Sequence, residues 1–199
     1  MRRVASGLLF LLALGALALA RSARADADSI VLVARPELVA PGFRQTVVLV
    51  THTPRGETLG VVLNRPTPLR LAEVAPEFPG AAHYAGRLFA GGPVLPRVVV
   101  ALFRAAAPPA APAFRVLDGG YLTMHPDNIA ALLARTDGEY RLFAGFCGWA
   151  PGQLEAEIAR EDWYVLPSSA EVLFRRDTSG LWRELVERAR SRRTIYFTR

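Results

Sequence analysis

Cys147, Gln153, Glu157 and Glu161 are the side chains best suited to chemistry, and all of them fall in one stretch, Gly145 to Trp163. The same stretch holds two of the three tryptophans, Trp149 and Trp163, and three glycines, Gly145, Gly148 and Gly152. A thiol at a strand end, just before a helix amino terminus, can ionise easily and act as a redox-sensitive nucleophile. The plainer reading of Cys147 is a small buried apolar residue, which is how free cysteines usually sit. Gln153, Glu157 and Glu161 follow at spacings of four and share one helix face. Glu155 and Glu157 stand two apart, about 200° around a helix, so they cannot work as a facing carboxylate pair. Glu155 suits a helix start as a favourable charge. Glu157 is then a solvated or paired carboxylate, with a reactive group as the alternative. Trp149 and Trp163 either wall a pocket or cover the core.

Familiar catalytic patterns are missing from the chain. It has no Gly-x-Ser-x-Gly nucleophile turn, and no Gly-x-x-x-x-Gly-Lys phosphate loop, since it contains no lysine at all. His52, His83 and His125 are scattered, with no His-Glu-x-x-His pair to hold zinc. The sequence therefore calls for no cofactor and no metal. His52 and His125 lie in proline-containing turns, where surface or capping roles fit better than proton transfer. Arg188, Arg190, Arg192 and Arg193 could touch phosphate or an anionic membrane, although such a run ordinarily forms a solvated helix end.

Two further turns carry polar or special backbone groups. Asn64-Arg65-Pro66 closes an apolar strand at the end from which side chains reach ligands in α/β folds. Gly91-Gly92-Pro93 demands an unusual backbone path; it is either a tight crossover or a small nest of amides able to bind an anion. If folding brings these turns to Trp149-Ala150-Pro151-Gly152-Gln153, they form one candidate binding surface. Asn64 and Gln153 would supply directional hydrogen bonds, Arg65 a charge and Trp149 an apolar wall.

The elements that must position these groups follow an exported leader. Residues 1–25 show Arg2 and Arg3, an apolar core from Leu8 to Ala20, and Ala23-Arg24-Ala25 as a cleavage site. The core, about 13 residues, is shorter than the roughly 20 of a bilayer-spanning helix. Cleavage is expected after Ala25, with Ala27 as a second choice, giving a periplasmic protein. An uncleaved anchor, the one route to a membrane, or a misassigned start codon and a cytoplasmic protein are the alternatives. The leader's four arginines have no acidic partners, so the formal charge of +6 falls to +2 in a chain starting at Asp26. No strong nucleic-acid signal survives that correction. The remaining 174 or so residues, 26–199, suit one domain with a real core. A single cysteine cannot form an intramolecular disulfide, so packing must supply the stability.

Continuous apolar runs at Ser29 to Ala34, Phe43 to Thr51 and Leu59 to Leu63 predict three strands, the last two able to pair as a hairpin. Leu69 to Val74 reads as a short amphipathic segment. Strands are expected again at Arg87 to Ala90 and Val98 to Phe103, followed by an Ala/Pro-rich surface loop, 105–113. Asp118-Gly119-Gly120 predicts a hairpin turn between Phe114–Leu117 and Tyr121–Met124. His125-Pro126 starts a helix that Asp137-Gly138 should stop. Glu139 to Phe146 reads as a strand, then a tight turn at Gly145 and Gly148, then a helix with Pro151 in its first turn and Leu154 and Ile158 buried. Tyr164 to Leu166 is a strand, Ser168-Ser169 caps a short helix, and Asp177-Thr178-Ser179 can cap a last helix with Leu181, Trp182, Leu185 and Val186 on one face. The tail from Ser191 is basic and then β-like.

From about Ser29 to Val186 the chain resembles the YqgE/AlgH family of bacterial proteins. The resemblance rests on Leu32-Val33-Ala34-Arg35-Pro36, on Phe43 with Val47-Val48-Leu49, and on Leu59-Gly60-Val61-Val62-Leu63-Asn64-Arg65-Pro66. Gly91-Gly92-Pro93-Val94 and Gly148-Trp149-Ala150-Pro151-Gly152-Gln153-Leu154-Glu155-Ala156-Glu157-Ile158 with Trp163 complete it. It implies an α/β fold in a single compact domain, a curved, partly barrel-like mixed sheet flanked by helices, and no particular reaction. Such proteins ordinarily start near the first strand without a leader, and small residues are usual where Cys147 stands. The function expected is that of a non-enzymatic binding or regulatory protein whose partner is a protein or small molecule. An enzyme of unrecognised type using the same cleft through Cys147 or Glu157, and a cytoplasmic transcription-linked regulator, are the alternatives.

Overall fold

Apolar runs too long for one-sided strands find cover on both faces of a strongly curled sheet. The computed structural model describes residues 29–135 and 139–197, with side chains as far as Ser191. The leader, and Asp137-Gly138 with their expected helix stop, lie outside the described residues. The strands are β1 Ser29–Ala34, β2 Val47–His52, β3 Thr58–Val62, β4 Leu88–Ala90, β5 Val94–Arg104, β6 Phe114–Leu117, β7 Gly120–Thr123, β8 Tyr140–Trp149 and β9 Trp163–Pro167. They form one sheet in the order β6-β7-β5-β8-β3-β2-β1-β9. All neighbours on this path are antiparallel, and β4 adds the one parallel pairing, against β8. The sheet curls into a half-barrel. Ser29 at the start of β1 donates to the Val116 carbonyl of β6 and accepts from Ser168 Oγ at 2.8 Å, drawing opposite ends of the strand order together.

Strand alternation sorts the core. Val31 and Val33 join Leu49, Val61, Leu102 and Phe143 under the helix α5, Leu181–Phe197, which contributes Leu181, Leu185 and Val186. Leu32 and Ala34 point the other way with Val48, Val62 and Cys147, under the helix α3, Gln153–Ala159. A third cluster packs Val99, Phe103 and Leu142 with Leu71 of the short helix α1, Leu71–Val74, and against the helix α2, Pro126–Leu133, through Ile129 and Leu132. Both faces are therefore dry, which is why the strands lack polar alternation.

Local signals account for most boundaries. His125 caps α2, its Nδ1 accepting from the Asp127 amide at 3.3 Å, with Pro126 at the first helical position. Ser169 Oγ accepts from the Val172 amide at 3.4 Å and caps the short helix α4, Ala170–Leu173. Gly119, at φ 64°, makes the β6–β7 turn. Five expectations are corrected. β8 does not end at Phe146 but continues to Trp149, because Gly60, Leu59 and Thr58 of β3 pair with Cys147, Gly148 and Trp149. The turn expected at Gly145 and Gly148 is thus a kink inside a strand. Helix α3 starts at Gln153 and not at Pro151, because Gly152, at φ 76°, is its cap. β5 begins earlier than Val98, at Val94, and the tail from Ser191 continues α5 to Phe197 where a β-like segment was expected.

Candidate functional site

The stretch richest in special residues folds into a closed hydrogen-bond network centred on Glu157. The buried indoles of Trp149 on β8 and Trp163 on β9 both donate to Glu157 Oε2, each at 3.0 Å. Gln153 Nε2, one helical turn earlier, donates to the other oxygen, Oε1, at 2.9 Å. Its Oε1 in turn accepts from the Ala150 amide at 3.1 Å, closing the turn that leads into the helix. The spacing of four thus puts Gln153 and Glu157 on the face that meets the strands, and one carboxylate ties α3 to two strand ends. Glu161, the next residue in that series, sits at φ 62° and pairs instead with Arg35 at 3.1 Å.

Cys147 lies next to this network, 1% exposed, its Sγ donating to the Gly91 carbonyl at 3.4 Å. Burial pushes its thiol pKa up to about 12; Arg65 pulls it down and Glu157 adds to the rise. The thiol is therefore protonated at neutral pH, against the activated nucleophile that the strand-end position allowed.

The other sequence-predicted residues come together along the backbone but not through their side chains. The Val62 amide donates to the Gly91 carbonyl at 2.8 Å, and the Ala90 amide to the Arg65 carbonyl at 2.9 Å, so β3, β4 and the turns after them run side by side. Asn64 and Arg65 then turn toward the loop before β2. Asn64 Oδ1 accepts from the Val47 amide and its Nδ2 donates to the Gln45 carbonyl, both at 2.9 Å. Arg65 donates to the carbonyls of Gly42 at 2.7 Å and Arg44 at 3.0 Å. Their polar groups hold a loop containing Gln45 at φ 56°. Both border a hollow with Thr178, Ser179 and Arg183, whose wall includes none of the Trp149 to Gln153 turn.

Gly91 and Gly92 are close-approach glycines. A Cβ on Gly91 would collide with the Gly145 carbonyl, and one on Gly92 with the backbone of Phe146 and Cys147. The Gly91 amide donates to the Ala144 carbonyl at 2.8 Å and is not free to hold an anion. The tight-crossover alternative fits this residue and the nest does not. After Pro93 the register of β5 on β8 shifts: Val94 faces Phe146, Val99 faces Ala144, and the intervening residues bulge outward. Leu95 stands in that bulge at φ 45°, 60% exposed. Nothing in the sequence singled out Leu95, since Val-Leu-Pro reads as ordinary strand and turn.

Among the described residues, no group of three or more His, Cys, Asp or Glu could hold a metal ion, and no helix is long and apolar enough to cross a membrane.

Comparison with known proteins places this geometry. A family model described as AlgH-like matches residues 31–193. A UPF0301 protein of Mycobacterium avium is 37% identical over 164 residues, covering 79% of this chain and 80% of the relative. A UPF0301 protein of Streptomyces coelicolor is 36% identical over 163 residues, covering 80% and 84%. Among solved structures, the AlgH protein of Pseudomonas aeruginosa superposes with a TM-score of 0.62 at 28% identity, over 76% of this chain and 82% of that one. A protein of Corynebacterium diphtheriae superposes with a TM-score of 0.63 at 27% identity, over 80% and 85%. The half-barrel, the glycine-lined crossover and the tryptophan-bound glutamate thus lie within a chain that belongs to the AlgH-like family.

Proposed function

We propose that this is a binding protein without a catalytic step, and that it engages a protein partner through the bulge after Gly91-Gly92-Pro93 and the neighbouring Trp149 to Gln153 turn. Leu95 carries the reading. A bulky residue in the left-handed region costs on the order of 1–3 kcal/mol and persists only where its surroundings impose it. Here Gly145, at φ 72°, lies against Gly92, Val94 and Pro96 so closely that a Cβ could not fit, which fixes the bulge. The strain gains no burial for Leu95. It presents an apolar side chain to solvent, flanked by exposed Pro93 and Pro96 and half-buried Val94 and Phe146. Exposed Pro151, Gly152 and Gln153 follow Gly148, whose own position faces Val94, and extend the exposed surface beside the bulge. Binding is favoured over catalysis because both candidate reactive groups are committed: Cys147 is sealed in the core and Glu157 accepts three hydrogen bonds.

The compartment in this reading is the periplasm, supported by charge, apolar core and cleavage site standing in order within residues 1–25. The test is site-specific photo-crosslinking in the native host, with the probe at Leu95 or at Val39, which is 80% exposed and lies on the loop between β1 and β2. A discrete periplasmic adduct at 95 and none at 39 is expected, together with a mature mass starting near Asp26. Equal adducts at both positions would discard the interface. A full-length cytoplasmic mass would discard export.

A further inference from the structure

A hollow of about 530 Å³ has walls that include Tyr84, Arg87, Tyr140, Arg141 and Phe174. That size lies within the roughly 300–1,000 Å³ of small-molecule sites. Its charge is one-sided: Arg87, Arg104, Arg141 and Arg176 face one acid, Glu139. Arg141 is the deepest of these cations. It donates to the Leu63 carbonyl at 3.3 Å and to the Arg175 carbonyl, and its guanidinium lies 4.7 Å above the Phe89 ring. Among the described residues no carboxylate pairs with it. Burial draws its pKa down to about 10, with Tyr84 opposing, so it remains a cation at neutral pH. A partly desolvated charge with only neutral partners is a standing cost that an anion in the hollow would offset. Arg87 and Arg176 are exposed at the rim and likewise have no acidic partner among the described residues. The walls between these charges are aromatic. Tyr84 and Tyr140 stack with centroids 6.0 Å apart, and Arg104 lies 4.5 Å over Phe174.

We infer that this hollow binds an aromatic phosphomonoester of nucleoside-monophosphate size, its phosphate on Arg141 and the rim arginines and its ring against the tyrosines. Guanidinium forks match phosphate oxygens, and a phosphomonoester carries about −1.5 to −2 charge near neutral pH, which the excess of four arginines over one glutamate more than balances. Flat aromatic walls take a base by stacking, without regard to its identity. The site is separate from the Leu95 bulge and does not depend on it.

The test is calorimetric titration of the purified chain with AMP, adenosine and inorganic phosphate at low and moderate salt. AMP is expected to bind at least about tenfold more tightly than either fragment and to weaken with salt. Because Arg141 also braces two carbonyls, the variant to compare is the exposed pair Arg87→Gln with Arg176→Gln. It should keep the parent unfolding curve and lose at least about tenfold in AMP affinity. Absence of AMP binding, phosphate binding as tightly as AMP, or undiminished AMP affinity in the double variant would each overturn the assignment.

Discussion

Replacing Glu157 by alanine is expected to loosen α3 from the sheet at a cost that follows from the network itself. The substitution leaves the indole N–H of Trp149, the indole N–H of Trp163 and the Gln153 amide without their shared acceptor. Trp149 and Trp163 are 8% and 4% exposed, so water replaces the carboxylate poorly there. At about 1–3 kcal/mol for each buried donor left unpaired, and less than additively for groups sharing one acceptor, the loss is about 3–4 kcal/mol. That is a large share of the roughly 5–15 kcal/mol holding an ordinary domain together, and it lowers the melting temperature by about 10 °C. Glu157→Gln separates hydrogen bonding from charge. Its one oxygen can still accept both indoles, but its new amide then faces the Gln153 amide, donor against donor. Turning Gln153 over would relieve that contact only by breaking its bond from the Ala150 amide. The glutamine variant therefore loses about one bond, roughly 1–1.5 kcal/mol. Urea unfolding followed by tryptophan fluorescence measures both changes as shifts in midpoint at constant slope. A loss below about 1 kcal/mol in the alanine variant, or equal losses in the two, would refute the claim that this carboxylate fastens the helix.

Two other expectations concern the buried neighbours of the network. Gly92→Ala should abolish soluble folded protein or cost several kcal/mol, since its Cβ would meet the backbone of Phe146 and Cys147, which cannot swing aside as a flexible side chain can; a folded variant with near-parent melting would reverse this reading of the crossover. Cys147 should resist thiol reagents in the native state at pH 8. Because folding raises its pKa from 9.0 to about 12, the stability it contributes is full below pH 9 and lost as pH rises toward 12. Stability measured across that window should fall more steeply in the parent than in Cys147→Ala, and parallel curves would contradict the burial argument.

The sequence exposes whatever depends on nearest neighbours in the chain. The apolar runs, the His125-Pro126 helix start, the Asp118-Gly119 turn and the paired strands around it were all legible, because each signal and its partner lie within a few residues. The equal spacing of Gln153 and Glu157 was legible too, but its purpose was not. The partners of Glu157 come from two strands, and only the fold brings Trp149 and Trp163 to one oxygen. Asn64 misled for the same reason. A polar residue at a strand end looks available for a ligand until the loop before β2 folds back onto it. The glycines at 91 and 92 announced special backbone, yet whether that meant anion binding or close packing was decided by β8, about fifty residues further along the chain.

That late arrival of β8 governs the order in which the protein can assemble. β3, β4 and β5 all take β8 as a partner, and none of the three pairs with another of them in the strand order. A growing chain that has not reached residue 140 therefore holds a β1–β2–β3 meander, with β4 laid against the turn after β3, and a β5–β7–β6 piece, each with an open hydrogen-bonding edge. Joining them closes several long loops in one event, which is entropically slow and leaves sticky edges waiting. Synthesis of Tyr140 to Trp149 is thus the committing step, and a chain truncated before it has two half-sheets with no common strand to unite them.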